Sequence, residues 1–229
     1  GGIICGWAMT LWNLPIWAAV LITLLVGAVC GLLKAAVVVK MALPPFIMTL
    51  GLQYVINGFV LVSTNGLPVT GFSDSFKMLG QGRVLGVYWT VIIAIIEGFL
   101  IHGMLVRTKF GRQICAVGGN QETAKLAGIN VDRVRTITNV LVSVLAAFCG
   151  ICMASRFNSA QTAVATGTEM TIMSSVIIGG TSMMGGSGTI IGSLLGCLLL
   201  AVINNGLVLM HVSSFWQNLI FGAILIILS

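Results

Sequence analysis

The chain has 229 residues, of which 58% are apolar and only 7% charged, and it carries a net charge of +6. A soluble domain carries about 25% charged residues, so a chain this poor in charge cannot cover a water-facing surface. Several bilayer-spanning helices of about 20 apolar residues each account for the composition. No run shows the period-two alternation of a transmembrane β-barrel, so an all-α, polytopic membrane bundle is expected. The basic excess does not read as nucleic-acid binding, because half of the charges sit in one stretch and no basic face carries interleaved aromatics.

Taken in order, residues 1–9 read as the end of a span, and 11–16, with Asn13 and Pro15, as an outer turn. The first full span is expected from about Ile16 to Val38, with Gly27 and Gly31 four apart so that a neighbouring helix can approach closely. Lys34 and Lys40 lie near its inner end and can snorkel to the interface. Pro44 and Pro45 open the next span, since proline is tolerated in a first helical turn. Thr49, Gln53 and Asn57 repeat every four residues along it and form one polar stripe. Such a stripe faces protein or water rather than lipid, either in hydrogen bonds between helices or along a solute path. Residues 65–83 read as an outer Gly/Ser-containing loop, and 84–106 as a span holding Glu97 near its middle and His102 one turn from its inner end. Glu97 must be protonated, paired or facing water, as a structural hydrogen-bonding group or as a proton-coupling one.

Residues 107–135, RTKFGRQICAVGGNQETAKLAGINVDRVR, hold eight of the 16 charged residues, six of them basic. A short basic island between apolar segments stays in the cytoplasm, and this one orients the rest of the chain. Gly118 and Gly119 break what precedes them, and Asn120 can cap a helix by accepting from the next turn. Glu122 suits the first turn of that helix, and Gly128 its C-terminal stop. The result is a helix of about Gln121 to Ala127, too short to be stable alone in water. It is either an ordinary connector or a docking element for a partner.

The next span is expected over Thr136 to Ser155, with Ala146, Gly150 and Ala154 as a small-residue face. Residues 156–169, RFNSAQTAVATGTE, form an outer polar segment. The apolar run after Met170 is short and meets IIGGTSMMGGSG, where glycines break or tilt the helix; irregular backbone at membrane depth must be buried in protein or line a cavity. Gly188, Gly192 and Gly196 repeat every four residues and mark tight packing of the span that follows, to about Met210. A turn at 211–214 leads to a last span, giving about seven alternating segments. The chain begins without Met and ends inside an apolar run, so the natural protein is expected to be longer, chiefly at its N-terminus.

No catalytic or nucleotide-binding motif is present. The Gly-rich GGTSMMGGSG is not followed by the Lys of a phosphate-binding loop. Two His leave little for a metal site, and Cys149 and Cys152 lie in an apolar run where Cys behaves as a small hydrophobe. An enzyme is not expected. The outer segment with Asn158 and Gln161, the Thr49–Gln53–Asn57 stripe and the Gly-broken region could together line a path for a neutral solute, because amides both donate and accept.

The basic loop, PPFIMTLG, TNGLPV at 64–69, SAQ at 159–161, VIIGGTSMMGGSGTIIGSLLG at 176–196, INNGL at 203–207 and VSSFWQ at 212–217 occur in one order. In this the chain resembles the permease subunits of bacterial ABC sugar importers of the ribose, xylose and galactoside type, over nearly its whole length. The resemblance implies a single permease domain over 1–229 of a protein with about ten spans, in the bacterial inner membrane. It implies pairing with a second permease subunit, identical or not. An extracytoplasmic solute-binding protein would deliver solute, and a cytoplasmic ATP-binding subunit would hold the ATP, with no cofactor on this chain. It also implies that Asn120, Gln121, Glu122, Thr123, Ala124, Lys125, Leu126, Ala127 and Gly128, within the 107–135 loop, form the coupling helix. The other readings are a proton-coupled secondary transporter using Glu97, a related importer permease for branched-chain amino acids or nucleosides, and, more remotely, a membrane enzyme.

Overall fold

The computed structural model describes all residues except 41–44, 85, 162–166, 214–215, 217–218, 220–221 and 224–229. In lipid every backbone polar group must be satisfied within its own segment, which selects helices for a chain this apolar. The described residues form ten helices: α1 (Gly2–Thr10), α2 (Ile16–Lys40), α3 (Pro45–Thr64), α4 (Asp74–Gln81), α5 (Trp89–Arg107), α6 (Lys109–Gly119), α7 (Gln121–Leu126), α8 (Val131–Phe157), α9 (Thr168–Ile178) and α10 (Ile190–Leu209). One small antiparallel hairpin, β1 (Arg83–Val84) and β2 (Val87–Tyr88), precedes α5. Five helices (α2, α3, α5, α8 and α10) are long and apolar enough to cross a membrane, and α9 is a shorter apolar one. The expected last span lies largely outside the described residues, as does Pro44.

The chain divides into two compact units, Gly1–Ile95 with Asp132–Val164, and Ile96–Val131 with Ala165–Ser229. In the first unit α8 is the organising helix. A Cβ on Gly27 of α2 would lie 2.7 Å from the Ala147 Cβ, and one on Gly31 2.7 Å from the Val140 Cα. The start of α1 lies as close, since a Cβ on Gly2 would lie 2.7 Å from the Gly150 oxygen and 3.0 Å from the Ala154 Cβ. The inward face of α8 is therefore Ala147, Ile151 and Ala154, all buried, with Gly150 beside them. Ala146, expected on that face, is exposed, because one residue is 100° around a helix.

The segment after α3 is more ordered than its Gly/Ser content suggests. Ser73 occupies the N-cap position of α4 with Asp74 in the first turn, where the helix dipole favours an anion. Phe76 and Gly80, four apart, are buried. Phe76 meets Phe72 edge to face at 5.2 Å, and its carbonyl accepts a 2.6 Å hydrogen bond from the Ser155 hydroxyl of α8. The Gln81 amide donates to the Arg156 carbonyl at 3.1 Å. Phe72 and Phe76 join Cys5, Ala8, Ala19, Ile151, Ala154 and Ala160 in one apolar cluster. The span expected over 84–106 starts at Trp89 rather than at residue 84, because Val84 and Val87 pair in the hairpin. Arg83 stacks on the Tyr88 ring 4.4 Å from its centroid and closes that hairpin.

In the second unit α9 and α10 form a hairpin whose helices meet backbone to backbone. A Cβ on Gly192 would strike the Gly179 carbonyl, and one on Gly196 the Ser175 carbonyl. Gly188 precedes α10, and its Cβ would meet the Thr181 side chain at 2.7 Å. It therefore packs loop on loop, whereas Gly192 and Gly196 pack helix on helix.

Substituting Gly196→Val should lower stability by at least the ~1–3 kcal/mol typical of overpacking, because the obstacle is backbone and cannot rotate away. Gly103 has nothing within 4 Å, and Gly103→Ala should be neutral or stabilising by up to about 1 kcal/mol from helix propensity. Thermal unfolding of the purified protein in detergent, followed by tryptophan fluorescence, distinguishes the two.

Candidate functional site

The basic loop begins with a corner between α5 and α6. The Thr108 side chain accepts from the Gly111 N–H at 3.0 Å and donates to the Met104 carbonyl at 2.5 Å, capping one helix and closing the other. Gly111 is buried with its Cα against the Leu105 backbone, where any Cβ would collide. α6 itself is an element the sequence reading passed over. Phe110, Ile114 and Val117 recur at helical spacing on one side, with Val117 buried, while Lys109 and Arg112 are exposed. The stretch up to Gly119 is thus helical, and the glycines expected to break it are its last two residues. The loop is also shorter at its far end, since α8 starts at Val131 and carries Asp132, Arg133 and Arg135 in its first two turns.

α7 forms where the sequence places it. Asn120 adopts an extended conformation and its side chain accepts from the Thr123 N–H at 3.0 Å. At the other end the Gly128 N–H donates to the Lys125 carbonyl at 2.9 Å and the Ile129 N–H to the Ala124 carbonyl at 3.0 Å. With Gly128 at φ +79°, this is the Schellman arrangement that consumes the last free carbonyls of a helix. Both ends of a six-residue helix are therefore satisfied locally. Gln121, Glu122, Thr123, Lys125, Leu126, Ala127 and Gly128 are exposed, and Leu126 is 90% exposed. Ala124 is only 3% exposed, so it faces the chain's own interior and is not available to a partner. Asn120 is exposed, but its side-chain oxygen is engaged in the cap.

The Gly-rich segment after α9, expected either to be buried in protein or to line a cavity, packs against the end of α6. A Cβ on Gly118 would lie 2.7 Å from the Gly186 nitrogen, and one on Gly186 2.6 Å from the Gly119 Cα. Gly185 and Gly186 take φ of +90° and +80°, conformations that favour glycine. The two glycine pairs thus allow a backbone-to-backbone contact that any side chain would hold open. Within the 179–188 segment the Ser182 N–H donates to the Ser187 carbonyl at 3.0 Å and the Gly185 N–H to the Ser182 carbonyl at 3.2 Å, making a closed turn.

The expected solute-path residues fall in the first unit. Thr49, Gln53 and Asn57 lie along α3, with Thr49 exposed and the two amides half-buried. Asn158 and Gln161 follow α8, and Gln161 donates to the Ser159 hydroxyl at 3.2 Å. Asn158 has φ +51°, and its side-chain oxygen is buried without a hydrogen-bond partner among the described residues. Val69 and Ala160 exchange hydrogen bonds of 2.9 and 2.8 Å, so the segment holding Asn158 and Gln161 is tied to the chain just beyond α3. Asn57 is two turns from the end of α3, or about 10 Å along its axis. Of the stripe, Asn57 therefore lies nearest that end of α3, and Thr49 lies near the other end of the helix. Glu97 is half-buried in the middle of α5, next to Gly98, which faces Leu194 of α10. Among the described residues no group of three His, Cys, Asp or Glu comes together as a metal site would require.

The family model described as "Branched-chain amino acid transport system / permease component" matches residues 1–229. The ribose import permease protein RbsC of Escherichia coli is 41% identical over 213 residues, which cover 91% of this chain and 66% of that protein. The protein of the same name from Bacillus subtilis is 38% identical over 83% of this chain and 60% of its own length. The galactose/methyl galactoside import permease protein MglC of Haemophilus influenzae is 34% identical over 94% of this chain and 66% of its own length. The chain thus spans about two thirds of the length of these relatives. No solved structure matches it. With five membrane-capable helices and a family match along its whole length, the chain is a polytopic membrane protein and belongs to the family of branched-chain amino acid transport system permease components.

Proposed function

We propose that this chain forms the translocation path of an ATP-driven importer for a monosaccharide or a similar small neutral solute, in the bacterial inner membrane. It acts as one of two permease subunits. The loop around Asn120–Gly128 docks on a cytoplasmic ATP-binding subunit, which holds the ATP, and an extracytoplasmic binding protein delivers the solute. The ribose and galactoside import permeases among its relatives support the solute class. The coupling role is carried by the geometry of α7. It is a helix with both ends capped, set in the most basic stretch of the chain, presenting an exposed Leu126 while Ala124 anchors it inward.

The solute path follows from the same chemistry. A sugar is recognised by hydrogen bonds rather than by charge, and Gln53, Asn57, Asn158 and Gln161 supply amides that both donate and accept. The unpartnered Asn158 oxygen is a candidate acceptor for a solute hydroxyl. ATP binding would close the ATPase pair, move α7 and switch the path between its outward and inward openings. The competing reading, a proton-coupled carrier, rests on the half-buried Glu97 in mid-span.

Leu126→Arg in the full-length protein should abolish co-purification of the ATP-binding subunit while leaving circular-dichroism helicity unchanged. Ala124→Arg should instead lower the yield of folded protein, because it places a charge at a buried position. Retained ATPase with Leu126→Arg would contradict the docking role. Uptake into vesicles should require ATP and change less than about twofold with Glu97→Gln. Uptake that follows a proton gradient and is lost with Glu97→Gln would favour the secondary carrier.

A further inference from the structure

We propose that the turn 181–188, with Met183 and Met184 at its tip, is a second contact for the same ATP-binding subunit, side by side with α7. The inference rests on the docking role proposed for α7 and extends the partner surface to a part of the chain some 60 residues away in sequence.

The turn is built to hold its tip out. The Ser182–Ser187 and Gly185–Ser182 backbone hydrogen bonds close it, and the Ser182 hydroxyl accepts from the Met184 N–H at 3.2 Å. The Thr181 and Ser193 hydroxyls are hydrogen-bonded at 3.2 Å and fasten its base to α10. None of these contacts uses the methionine side chains. Met184 is 93% exposed and Met183 is 52% exposed, so neither side chain is packed against the described residues of the chain itself. Together with Leu126 they are the kind of exposed apolar groups that mark interaction sites, and an unbranched thioether adapts to an irregular partner groove.

Three features identify the occupant. The contact of Gly118 and Gly119 with Gly185 and Gly186 makes the turn continuous with the α6–α7 loop, so it shares the cytoplasmic side set by the basic charge. The segment from Gly179 to Thr189 contains no charged residue, which argues against a lipid headgroup as its partner, since such surfaces are read by Lys and Arg clusters. The turn is also fastened to both α6 and the α9–α10 hairpin, so a partner moving it would move the second unit directly.

The test uses the full-length permease in nanodiscs with its ATP-binding subunit, and measures the Kd for that subunit with wild-type, Met184→Ser, Leu126→Ser and the double variant. Met184→Ser is expected to weaken binding roughly tenfold, about 1.4 kcal/mol, with thermal stability unchanged, and the double variant to weaken it further. If Leu126→Ser weakens binding and Met184→Ser does not, the second contact is overturned and the α7 reading stands. If neither does, the α7 reading falls and takes this inference with it. A fluorophore on Met184→Cys that is quenched by brominated lipid, and not by addition of the ATP-binding subunit, would assign the tip to the membrane and also overturn the proposal.

Discussion

Close approach of backbone to backbone is the constraint on which this structure depends. Lipid tails are as apolar as leucine, so no hydrophobic drive holds one spanning helix to another, and packing must come from contact area. Glycine and alanine supply it. Gly27 and Gly31 seat α2 on α8, Gly2 and Gly150 bring in α1, and Gly192 and Gly196 seat α10 on α9. Outside the spans, Gly118 and Gly119 meet Gly185 and Gly186 in the same way. That last contact joins two stretches of sequence far apart in the chain, and through it the basic loop acquires a support beyond its own two helices.

Two pairings organise the motifs that mark the family. TNGLPV meets SAQ through the Val69–Ala160 bridge. The basic loop meets the Gly-rich run through the four glycines. Each pairing lies within one compact unit. The first ties the segment with Asn158 and Gln161 to the chain just beyond the helix that carries Gln53 and Asn57. The second ties the end of α6 to the turn between α9 and α10.

Sequence reading was most informative where one residue type has one physical use. Asn120 and Gly128 mark the ends of α7 because an amide side chain caps an N-terminus and only a residue at ease with positive φ completes the Schellman turn. The glycines of α2 and α10 were legible from their four-residue spacing. α4 and α6 were not, because α4 lies in a stretch that reads as a Gly/Ser-containing loop and Gly118 and Gly119 read as breaking what precedes them. Gly80 and Gly111 are points where a neighbouring backbone lies against the helix, Arg156 in one case and Leu105 in the other. The signal that could have found them was present: Phe76 with Gly80, and Phe110, Ile114 and Val117, recur at helical spacing. The inward turn of Ala124 was beyond the sequence, because in a helix of six residues the buried side is set by what lies beneath it.

Hydrogen–deuterium exchange of the full-length protein in nanodiscs, comparing wild type with Gly186→Val, tests most directly whether the glycine contact supports the basic loop. A valine at φ +80° is strained, and its Cβ would lie 2.6 Å from the Gly119 Cα. The account predicts faster exchange across 118–128 with exchange in 140–155 unchanged. Equal protection of 118–128 in both proteins would contradict it and would mean that the loop is held by α6 alone.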